Sequence, residues 1–524
     1  MRKSQLESEF AVQNINPFHT LASLLQDYFV IPRKLDREVS GLSIDSRKIN
    51  PGDVFIACAG FGKYDGRDYI QAAVASGAAA VISEAGNANE ISSSLIMSAR
   101  EKGAVIPHIQ IPSLASKIGH IAATFYGCPS QQMQMVGVTG TNGKTSITTL
   151  LTQVQKKLET RAGLIGTHGK GIGVNALTPT GNTTPGALQL QKILADFREQ
   201  GCESVAMEIT SHAICQHRIN GVSFDTLVLS NVTRDHLDYH ENELAYREVK
   251  KSLFSNHSAR NLVVNLDDQM GREIAQCAHK SQQVIGYTLK NIDLVGSDTV
   301  VRGVQVQADL KGMSMLVVYK NKTLRVHTKL IGSFSAYNIL AVVATLLSLD
   351  YPFEQIIEAM DALAPVPGNM QLFGGGDKPV VVVDFAHTPS ALEAALTSLQ
   401  RYTEGKLICV FGCGGDRDTG KRKKMGAVAE KYADHIVLTD DNPRTEPSDK
   451  IINDIIQGLL CPWAIDVIPD RTEALVHALN QARAGDLVLV AGKGREDYQL
   501  IGDEKLPFSD AQKVKFLLDI REQV

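Results

Sequence analysis

Apolar runs and polar clusters alternate along this chain in the rhythm of an α/β protein, most plainly in its last third. Val380-Val381-Val382-Val383, Leu407-Ile408-Cys409-Val410-Phe411, His435-Ile436-Val437-Leu438 and Leu487-Val488-Leu489-Val490 are continuous apolar runs separated by helical stretches. Such runs predict strands buried on both faces of a parallel sheet. Each is followed by a polar cluster: Asp384 and His387, then Asp416-Arg417-Asp418, then Asp440 to Arg444, then Lys493-Gly494-Arg495-Glu496. The carboxyl ends of parallel strands line the ligand crevice of an open sheet, so the four clusters are expected in one place. Between about 17 and 130, short runs (Val54 to Ala57, Ala79 to Ile82, Ile109 to Ile111) alternate with helical stretches at Tyr69 to Ser76 and Ser116 to Phe125, which predicts a small α/β domain. In the middle, Met135 to Val138 reads as a strand end and Ser146 to Leu158 as a helix, and alternating β-rich segments lie between Tyr287 and Leu330. Tyr126-Gly127-Cys128-Pro129-Ser130 and Ala364-Pro365-Val366-Pro367-Gly368 punctuate the chain. The expected division is an N-terminal extension at 1–16 and domains at 17–130, 131–363 and 364–524.

Composition narrows the function classes. A chain of 524 residues exceeds one hydrophobic core, and roughly 150 residues per domain suggests about three. A net charge of −4 offers no electrostatic case for nucleic acid or an anionic membrane, so anion binding must be local. The one dense basic run, Lys421-Arg422-Lys423-Lys424, reads as a solvated helix start. Eight cysteines without a C-x-x-C pair argue for reduced thiols in a cytosolic protein. Met1 to Phe10 carries charges with no apolar core behind them, so no secretory signal is expected, and no apolar stretch has transmembrane length. The expectation is a cytoplasmic monomer with no nucleic-acid or membrane partner.

The chemistry starts at Gly137-Val138-Thr139-Gly140-Thr141-Asn142-Gly143-Lys144-Thr145, a glycine-rich turn between strand and helix. Backbone N–H groups and a helix N-terminus converge there on phosphate, Lys144 would reach the β/γ-phosphates of ATP or GTP, and Thr145 would ligate Mg²⁺. Val138 stands where the common P-loop has its first glycine, so the pattern is the narrower G-x-x-G-T-N-G-K-T. Glu208 follows an apolar stretch as a possible Mg²⁺ ligand, and Arg234-Asp235-His236-Leu237-Asp238 packs four ionisable groups after another strand. The helix from Ala245 to Phe254 carries Lys250 and Lys251, either plain surface charges or, if desolvated near a metal, an amine able to take up CO₂. Asp45-Ser46-Arg47 and the loop Gly60 to Arg67 are candidate ligand elements or ordinary turns.

Together these motifs resemble those of the Mur ligase family, in the branch that adds the third residue of a peptide carried on a UDP-sugar. The likeness runs from Asp45-Ser46-Arg47 to Phe508-Ser509-Asp510 and includes Asn182-Thr183-Thr184-Pro185, Glu208 to Arg218, Asn231 to Tyr239, Phe411 to Arg422, Asp441 to Arg444, and Gly492-Lys493-Gly494 with Glu496-Asp497-Tyr498. It implies an α/β protein of three domains: a small UDP-binding domain, a central P-loop ATPase-type domain and a C-terminal Rossmann-like domain. The implied reaction joins meso-2,6-diaminopimelate to UDP-N-acetylmuramoyl-L-alanyl-D-glutamate through an acyl phosphate, using ATP and Mg²⁺, in cytoplasmic peptidoglycan precursor synthesis. By resemblance, Gly140, Thr141, Asn142, Gly143, Lys144, Thr145, Ser146 and Asn338 hold ATP. Thr145, Glu208, His236 and Lys250, the last as its CO₂-derived carbamate (N6-carboxylysine), hold the metal. Ser46, Asn182, Thr183, Thr184, Thr210, Gln216 and Arg218 hold the UDP-substrate. Arg417, Asp441, Asn442, Pro443, Arg444, Gly492 and Glu496 hold diaminopimelate, with Glu496 facing an ammonium. Arg444 offers a planar fork to the carboxylate that diaminopimelate has and lysine lacks.

The chain departs from the family pattern at several positions. Gly368-Asn369 replaces Gly-Arg, Phe334-Ser335 replaces Phe-Asn, Phe385 and Ser390 replace Tyr and Asp, Arg495 replaces His, and the loop Gly60 to Asp65 is one residue longer. Three readings follow. One is a working diaminopimelate ligase in which another group replaces the lost arginine, favoured because the metal and phosphate-loop positions are kept. Another is a ligase of the same fold for a different carboxylate and amine, L-lysine included. The third is a non-catalytic nucleotide-binding relative, opposed by intact Lys144, Glu208, His236 and Lys250.

Overall fold

The computed structural model describes residues 19–59, 65–85, 94–99, 105–294, 299–361 and 363–520. The extension 1–16 and most of the Gly60 to Arg67 loop lie outside the described residues. Compactness divides the chain into two units: residues up to Pro129 with Gly186–Asp196 and Gln216–Val222, and the remainder.

In the first unit a five-stranded sheet runs in the order Gly41–Ser43, Asp53–Ala57, Ala80–Glu84, Val105–Ile111, Ser94–Ala99, parallel except for the last strand. Val54, Ile56, Ile82, Ile109 and Ile111 bury one face against Leu21, Leu24, Leu114 and Ile121. The helix expected from Ser116 begins two residues earlier and spans Leu114–Phe125, and the expected Tyr69 to Ser76 helix spans Ile70–Ala75 after a short 3₁₀ turn. Gly119 lets that longer helix sit against the Gln216–Val222 segment, because a Cβ there would lie 1.9 Å from Asn220 O.

The second unit holds two sheets. Its larger sheet orders Gly169–Ile172, Ala162–Gly166, Ser204–Glu208, Gln134–Thr139, Phe224–Leu229, Ala259–Asn265, Gln283–Thr288, Val300–Asp309, Gly312–Tyr319 and Lys322–Thr328. The central strands are parallel and the outermost pairs antiparallel. Register matters most beside Gln134–Thr139: Glu208 pairs with Val138 on one side and Leu229 with Thr139 on the other. The phosphate turn, Glu208 and the Asn231 to Asp238 segment therefore leave the sheet at the same edge. Helix Lys144–Lys157 packs on this sheet through Ile147, Leu150, Leu151 and Val154 beside Phe334–Ser348, a helix apolar on nearly every side and correspondingly buried.

The smaller sheet orders Gln371–Gly374, Val380–Asp384, Leu487–Ala491, Leu407–Phe411, His435–Leu438, Asp466–Val467, and all but the first strand are parallel. Its continuous apolar runs serve two cores: Val382, Cys409, Phe411, Leu438 and Leu489 face one, and Val381, Val383, Val410, Val437 and Val490 the other. Burying one such side chain stabilises by about 1.5–3 kcal/mol, which is why neither face can turn polar. Among the described residues no helix is long and apolar enough to cross a membrane.

Candidate active site

The turn after Gln134–Thr139 is shaped by its neighbours. Gly140 has φ +147° and a Cβ there would lie 1.8 Å from Ser230 Oγ, while at Gly143, φ +89°, it would lie 2.7 Å from Asn338 Oδ1. Any other residue would be strained at either position. Thr141 N donates to Asn231 O (2.7 Å), Asn142 N to Asn231 Oδ1 (3.1 Å), and Ser230 Oγ to Asn142 O (2.6 Å), so the end of the adjacent strand holds the turn open. The helix begins at Lys144, inside the motif, and Gly143 supplies no capping side chain, a geometry suited to an anion at the first-turn N–H groups.

Charge is concentrated and poorly neutralised here. Half-buried Lys144 folds back so that Nζ donates to Gly140 O (2.9 Å) and Thr141 O (2.8 Å). Lys250, 1% exposed, donates to the same Gly140 carbonyl at 2.8 Å, lies 4.9 Å from the Tyr246 ring centre, and pairs with no carboxylate among the described residues. Burial, and then the Lys144 charge, push the Lys250 amine well below its ordinary pKa against the pull of Asp235. The surface-charge reading of Lys250 does not hold. Lys251 remains part-exposed with Glu273 at 3.4 Å. Glu208, 1% exposed, accepts from Thr145 Oγ1 (2.9 Å), Thr167 N (2.8 Å) and Thr167 Oγ1 (3.2 Å). Burial raises its carboxyl pKa while Lys144 and these hydrogen bonds oppose the rise. Burial also holds the His236 imidazole down at about 3 despite Asp235 at 3.4 Å, so the ring is neutral with a nitrogen lone pair available. Tyr246 carries no motif in the sequence, although its place four residues before Lys250 puts both on one helix face. Its hydroxyl lies 3.0 Å from Thr141 Oγ1 and its ring centre 6.5 Å from that of His236.

The threonines gather beside Glu208. Thr184 Oγ1 donates to Glu208 O (2.9 Å) and accepts from Thr210 N (3.2 Å), Thr183 Oγ1 lies 3.2 Å from Thr167 Oγ1, and Asn182 O accepts from Thr180 Oγ1 at 2.7 Å. Ser46, Gln216 and Arg218 belong to the other compact unit. Arg218 donates to Gln216 Oε1 through Nε (2.9 Å) and Nη2 (2.6 Å), and Ser46 is buried at the start of a turn capped by Asp45.

The clusters that follow the C-terminal strands meet as expected. Asn442 Nδ2 donates to Glu496 Oε2 (2.8 Å), and Lys493 Nζ donates to Glu496 Oε2 (3.0 Å) and Asn442 Oδ1 (3.1 Å). Glu496 thus already faces an ammonium, that of Lys493. Gly492 leaves room for Asp441, since a Cβ there would lie 2.6 Å from its Oδ2. Arg444, with φ +55°, anchors Nη1 on Gly415 O at 2.8 Å, and burial and then the Arg417 charge depress its guanidinium pKa. Pro443 is buried between Asn442 and Arg444.

This cluster and the phosphate turn belong to one unit and touch. Ser390 Oγ accepts from Asn142 Nδ2 (3.3 Å) and lies 3.0 Å from Thr233 Oγ1, Arg234 reaches Asp418 at 3.2 Å, Asp235 lies 3.9 Å from His387, and Asp238 lies 3.9 Å from Arg417. Asn369 Nδ2 donates to Ser146 Oγ on the phosphate helix at 3.0 Å. Ser146, Phe334, Ser335, Asn338, Val366 and Asn369 are among the residues lining a cavity beside that helix. The run Lys421 to Lys424 does start a helix, but only partly in solvent. Lys421 is 8% exposed, and Arg422 is fully buried against Glu446 (2.6 Å) and Asp454 (2.8 Å), partners too distant in sequence to foresee.

Three stretches match described families: residues 38–126 the Mur ligase family catalytic domain, 138–346 the Mur ligase middle domain, and 368–494 the Mur ligase glutamate ligase domain. A UDP-N-acetylmuramoyl-L-alanyl-D-glutamate--2,6-diaminopimelate ligase of Alkalilimnicola ehrlichii is 43% identical over 497 residues, covering 94% of this chain and 97% of its own. A relative of the same name from Chromobacterium violaceum is 44% identical over 482 residues, covering 91% and 94%. A solved structure bearing that name is 33% identical, with a TM-score of 0.66 over 97% of this chain and 100% of the other.

Proposed function

We propose, from the premise that this chain belongs to the Mur ligase family, that it is an ATP-dependent amide ligase joining 2,6-diaminopimelate to UDP-N-acetylmuramoyl-L-alanyl-D-glutamate in peptidoglycan precursor synthesis. The observation that carries the reading is the contact, within one compact unit, between the phosphate turn and a cluster bearing two arginines and a glutamate. Substrates of this kind are small molecules, and the enzyme is read as a cytoplasmic monomer. The readings of a different carboxylate and amine, or of a non-catalytic relative, are not favoured.

The γ-phosphoryl group of ATP passes to the D-glutamate side-chain carboxylate, giving an acyl phosphate and ADP. The amine nitrogen of diaminopimelate then attacks the carbonyl carbon, and the tetrahedral intermediate expels phosphate as the amide forms. Lys144 leaves the carbonyls of Gly140 and Thr141 for the phosphates, and the N–H groups of the turn and helix Lys144–Lys157 hold the rest of the chain of phosphates. Thr145 and Glu208 offer two oxygens and His236 one neutral imidazole, and with phosphate oxygens and waters in the remaining positions such a set would be mostly oxygen, as Mg²⁺ requires. When bound, that ion neutralises charge on the transferring phosphoryl group.

Lys250 completes the set as a carbamate. Its neutral amine attacks CO₂, a C–N bond forms as one C=O π bond opens onto oxygen, and the proton lost from nitrogen passes to solvent. The product replaces a buried amine, which burial and the Lys144 charge keep from holding a proton, with an anion that pairs with Lys144. Arg444 and Arg417, which repel one another, would be relieved by the second carboxylate of diaminopimelate, with Glu496 and Asp441 on its ammonium. Thr183, Thr184 and Thr210 would position the peptidyl carboxylate beside Glu208, with Asn182 on their rim, while Ser46, Gln216 and Arg218 would contact the rest of the UDP-substrate.

Asn369 leaves a hydrogen bond but no charge beside the phosphate helix. Arg495 is the cation proposed in its place. Gly368 packs on the Arg495 backbone, where a Cβ would lie 2.2 Å from its N. The Arg495 charge also acts on His168, which burial and then that charge hold down at about 4, next to the Thr167 that bonds Glu208.

Phosphate release from ATP, Mg²⁺ and the UDP-dipeptide, with meso-diaminopimelate, L-lysine or no amine, tests the proposal. Release dependent on diaminopimelate supports it, and release dependent on lysine or absent throughout refutes it.

A further inference from the structure

At the edge of the C-terminal sheet, outside the ligase machinery, four side chains converge. His435 opens strand His435–Leu438, Asp466 lies on the neighbouring edge strand Asp466–Val467, and His477 and Gln481 are one turn apart on helix Arg471–Gln481. The Nε2 atoms of His435 and His477 both face Asp466 Oδ2, at 2.8 and 2.6 Å, and one ligand atom from each of the three residues lies within 4.8 Å of the others. Gln481 Nε2 lies 2.8 Å from His477 Nε2 and 3.3 Å from Asp466 Oδ2. With Asp466 ionised and Gln481 held in place, protons do not satisfy all four contacts. If His477 Nε2 carries a hydrogen for Asp466, it meets the amide hydrogens of Gln481 donor to donor. If it is bare to accept from Gln481, its lone pair faces the carboxylate oxygen at 2.6 Å. Turning the amide so that Oε1 faces inward sets that oxygen against Asp466 instead.

We propose that His435 Nε2, His477 Nε2 and Asp466 Oδ2, with Gln481 turned to present Oε1, bind a divalent cation of the zinc class. A cation satisfies all four groups at once as lone-pair donors, whereas protons satisfy the contacts of His435 and His477 to Asp466 only if exposed Gln481 turns away to solvent. Two imidazoles with a carboxylate suit Zn²⁺ or Co²⁺, whereas Mg²⁺ prefers an all-oxygen set with several waters. Tetrahedral Zn²⁺ spaces its ligand atoms by roughly 3.3 Å, so the short contacts to Asp466 need only a small opening. Side-chain exposures of 25% at His435, 34% at Asp466 and 37% at His477 leave an entry path and room for that adjustment. The site lies at the amino end of strand His435–Leu438, whereas Asp440 to Arg444 follow its carboxyl end. Bound metal would therefore tie helix Arg471–Gln481 to the sheet edge without occupying the crevice.

The test uses full-length protein stripped with a chelator and titrated with Zn²⁺ against a chromogenic competitor in excess Mg²⁺. It compares wild type with the double variant His435→Asn, His477→Gln, which keeps polar groups beside Asp466. Wild type should bind one Zn²⁺ more than the variant, and its thermal midpoint alone should rise with Zn²⁺. Each single variant should weaken that binding by more than the roughly 10–100-fold that loss of a supporting partner costs. Equal Zn²⁺ stoichiometry in wild type and the folded double variant, or a midpoint that rises equally in both, overturns the proposal.

Discussion

Arg471 and Lys250 are both buried to within 1% of full enclosure in the same compact unit, yet their surroundings are opposite. Arg471 gives Nε and Nη2 to the two oxygens of Asp510, both at 2.8 Å, and reaches the carbonyls of Ala491 at 2.9 Å and Asp440 at 3.3 Å. Asp510 is fully buried with it, and the pair ties two helices to the end of strand Leu487–Ala491. Lys250 has one good hydrogen bond, to Gly140 O, and a second cation nearby. A buried charge with every guanidinium nitrogen paired does structural work. A buried ionisable group left without a counter-charge marks a place where chemistry or a ligand supplies the missing sign.

The sharpest way to break this contrast is to exchange the roles. Arg471→Met should cost about 3–5 kcal/mol in urea unfolding, because it strands the Asp510 carboxylate, and adding Asp510→Leu should recover most of that loss. An Arg471→Met protein of wild-type stability would make the pair dispensable. Lys144→Met and Lys250→Met should instead lower diaminopimelate-dependent phosphate release by about 10²–10³-fold, with the urea midpoint unchanged or raised. If Lys250→Met unfolded the protein while the residual folded fraction turned over normally, the functional side of the comparison would fail.

Arg444→Lys keeps the charge but loses the fork. Its kcat/KM for diaminopimelate should fall by about 10²-fold and its preference over lysine should narrow, as read from competing-amine kinetics. Asp384 sharpens the comparison from the acidic side, as a buried carboxylate with no cation in its contacts among the described residues. It accepts from Met370 N at 2.8 Å, and burial raises its pKa from 3.8 to about 6 against three backbone hydrogen bonds. Between those values the folded state holds a proton that the unfolded state releases, so stability falls as pH rises from about 4 to about 6. Asp384→Asn should remove a component of about 2–3 kcal/mol from that fall, checked by urea melts of both proteins across the window. The smallest effect is expected at Arg495→Gln, roughly a tenfold loss of kcat, or about 1.4 kcal/mol. Asn369→Arg should restore it, and failure of that rescue in an active, folded double variant would separate the two positions.

Much of the site was legible because it is written locally. Gly140, Gly143, Lys144 and Thr145 declare a phosphate turn through backbone needs that neighbouring residues meet, and Asp441 to Arg444 follow an apolar run whose end must reach the crevice. What stayed hidden depends on partners far away in the chain. Arg422 looks like one more surface charge until Glu446 and Asp454 are brought to it. Tyr246 has no motif of its own, and its position between Thr141, His236 and Lys250 exists only once its helix docks. Glu496 reads as the group awaiting an ammonium, but the fold first gives it Lys493. Ser390 reads only as a departure from a family pattern, yet it touches Asn142 and Thr233.

By itself the sequence determined the alternation of strands and helices, the two-faced burial of the C-terminal strands and the nucleotide-binding turn, because periodicity, side-chain volume and glycine backbone freedom act over a few residues. Only the tertiary structure decided which charges are paired and which are left exposed to chemistry. The free energy of a buried ion depends on what lies within a few ångströms of it in space, and spacing along the chain does not contain that distance.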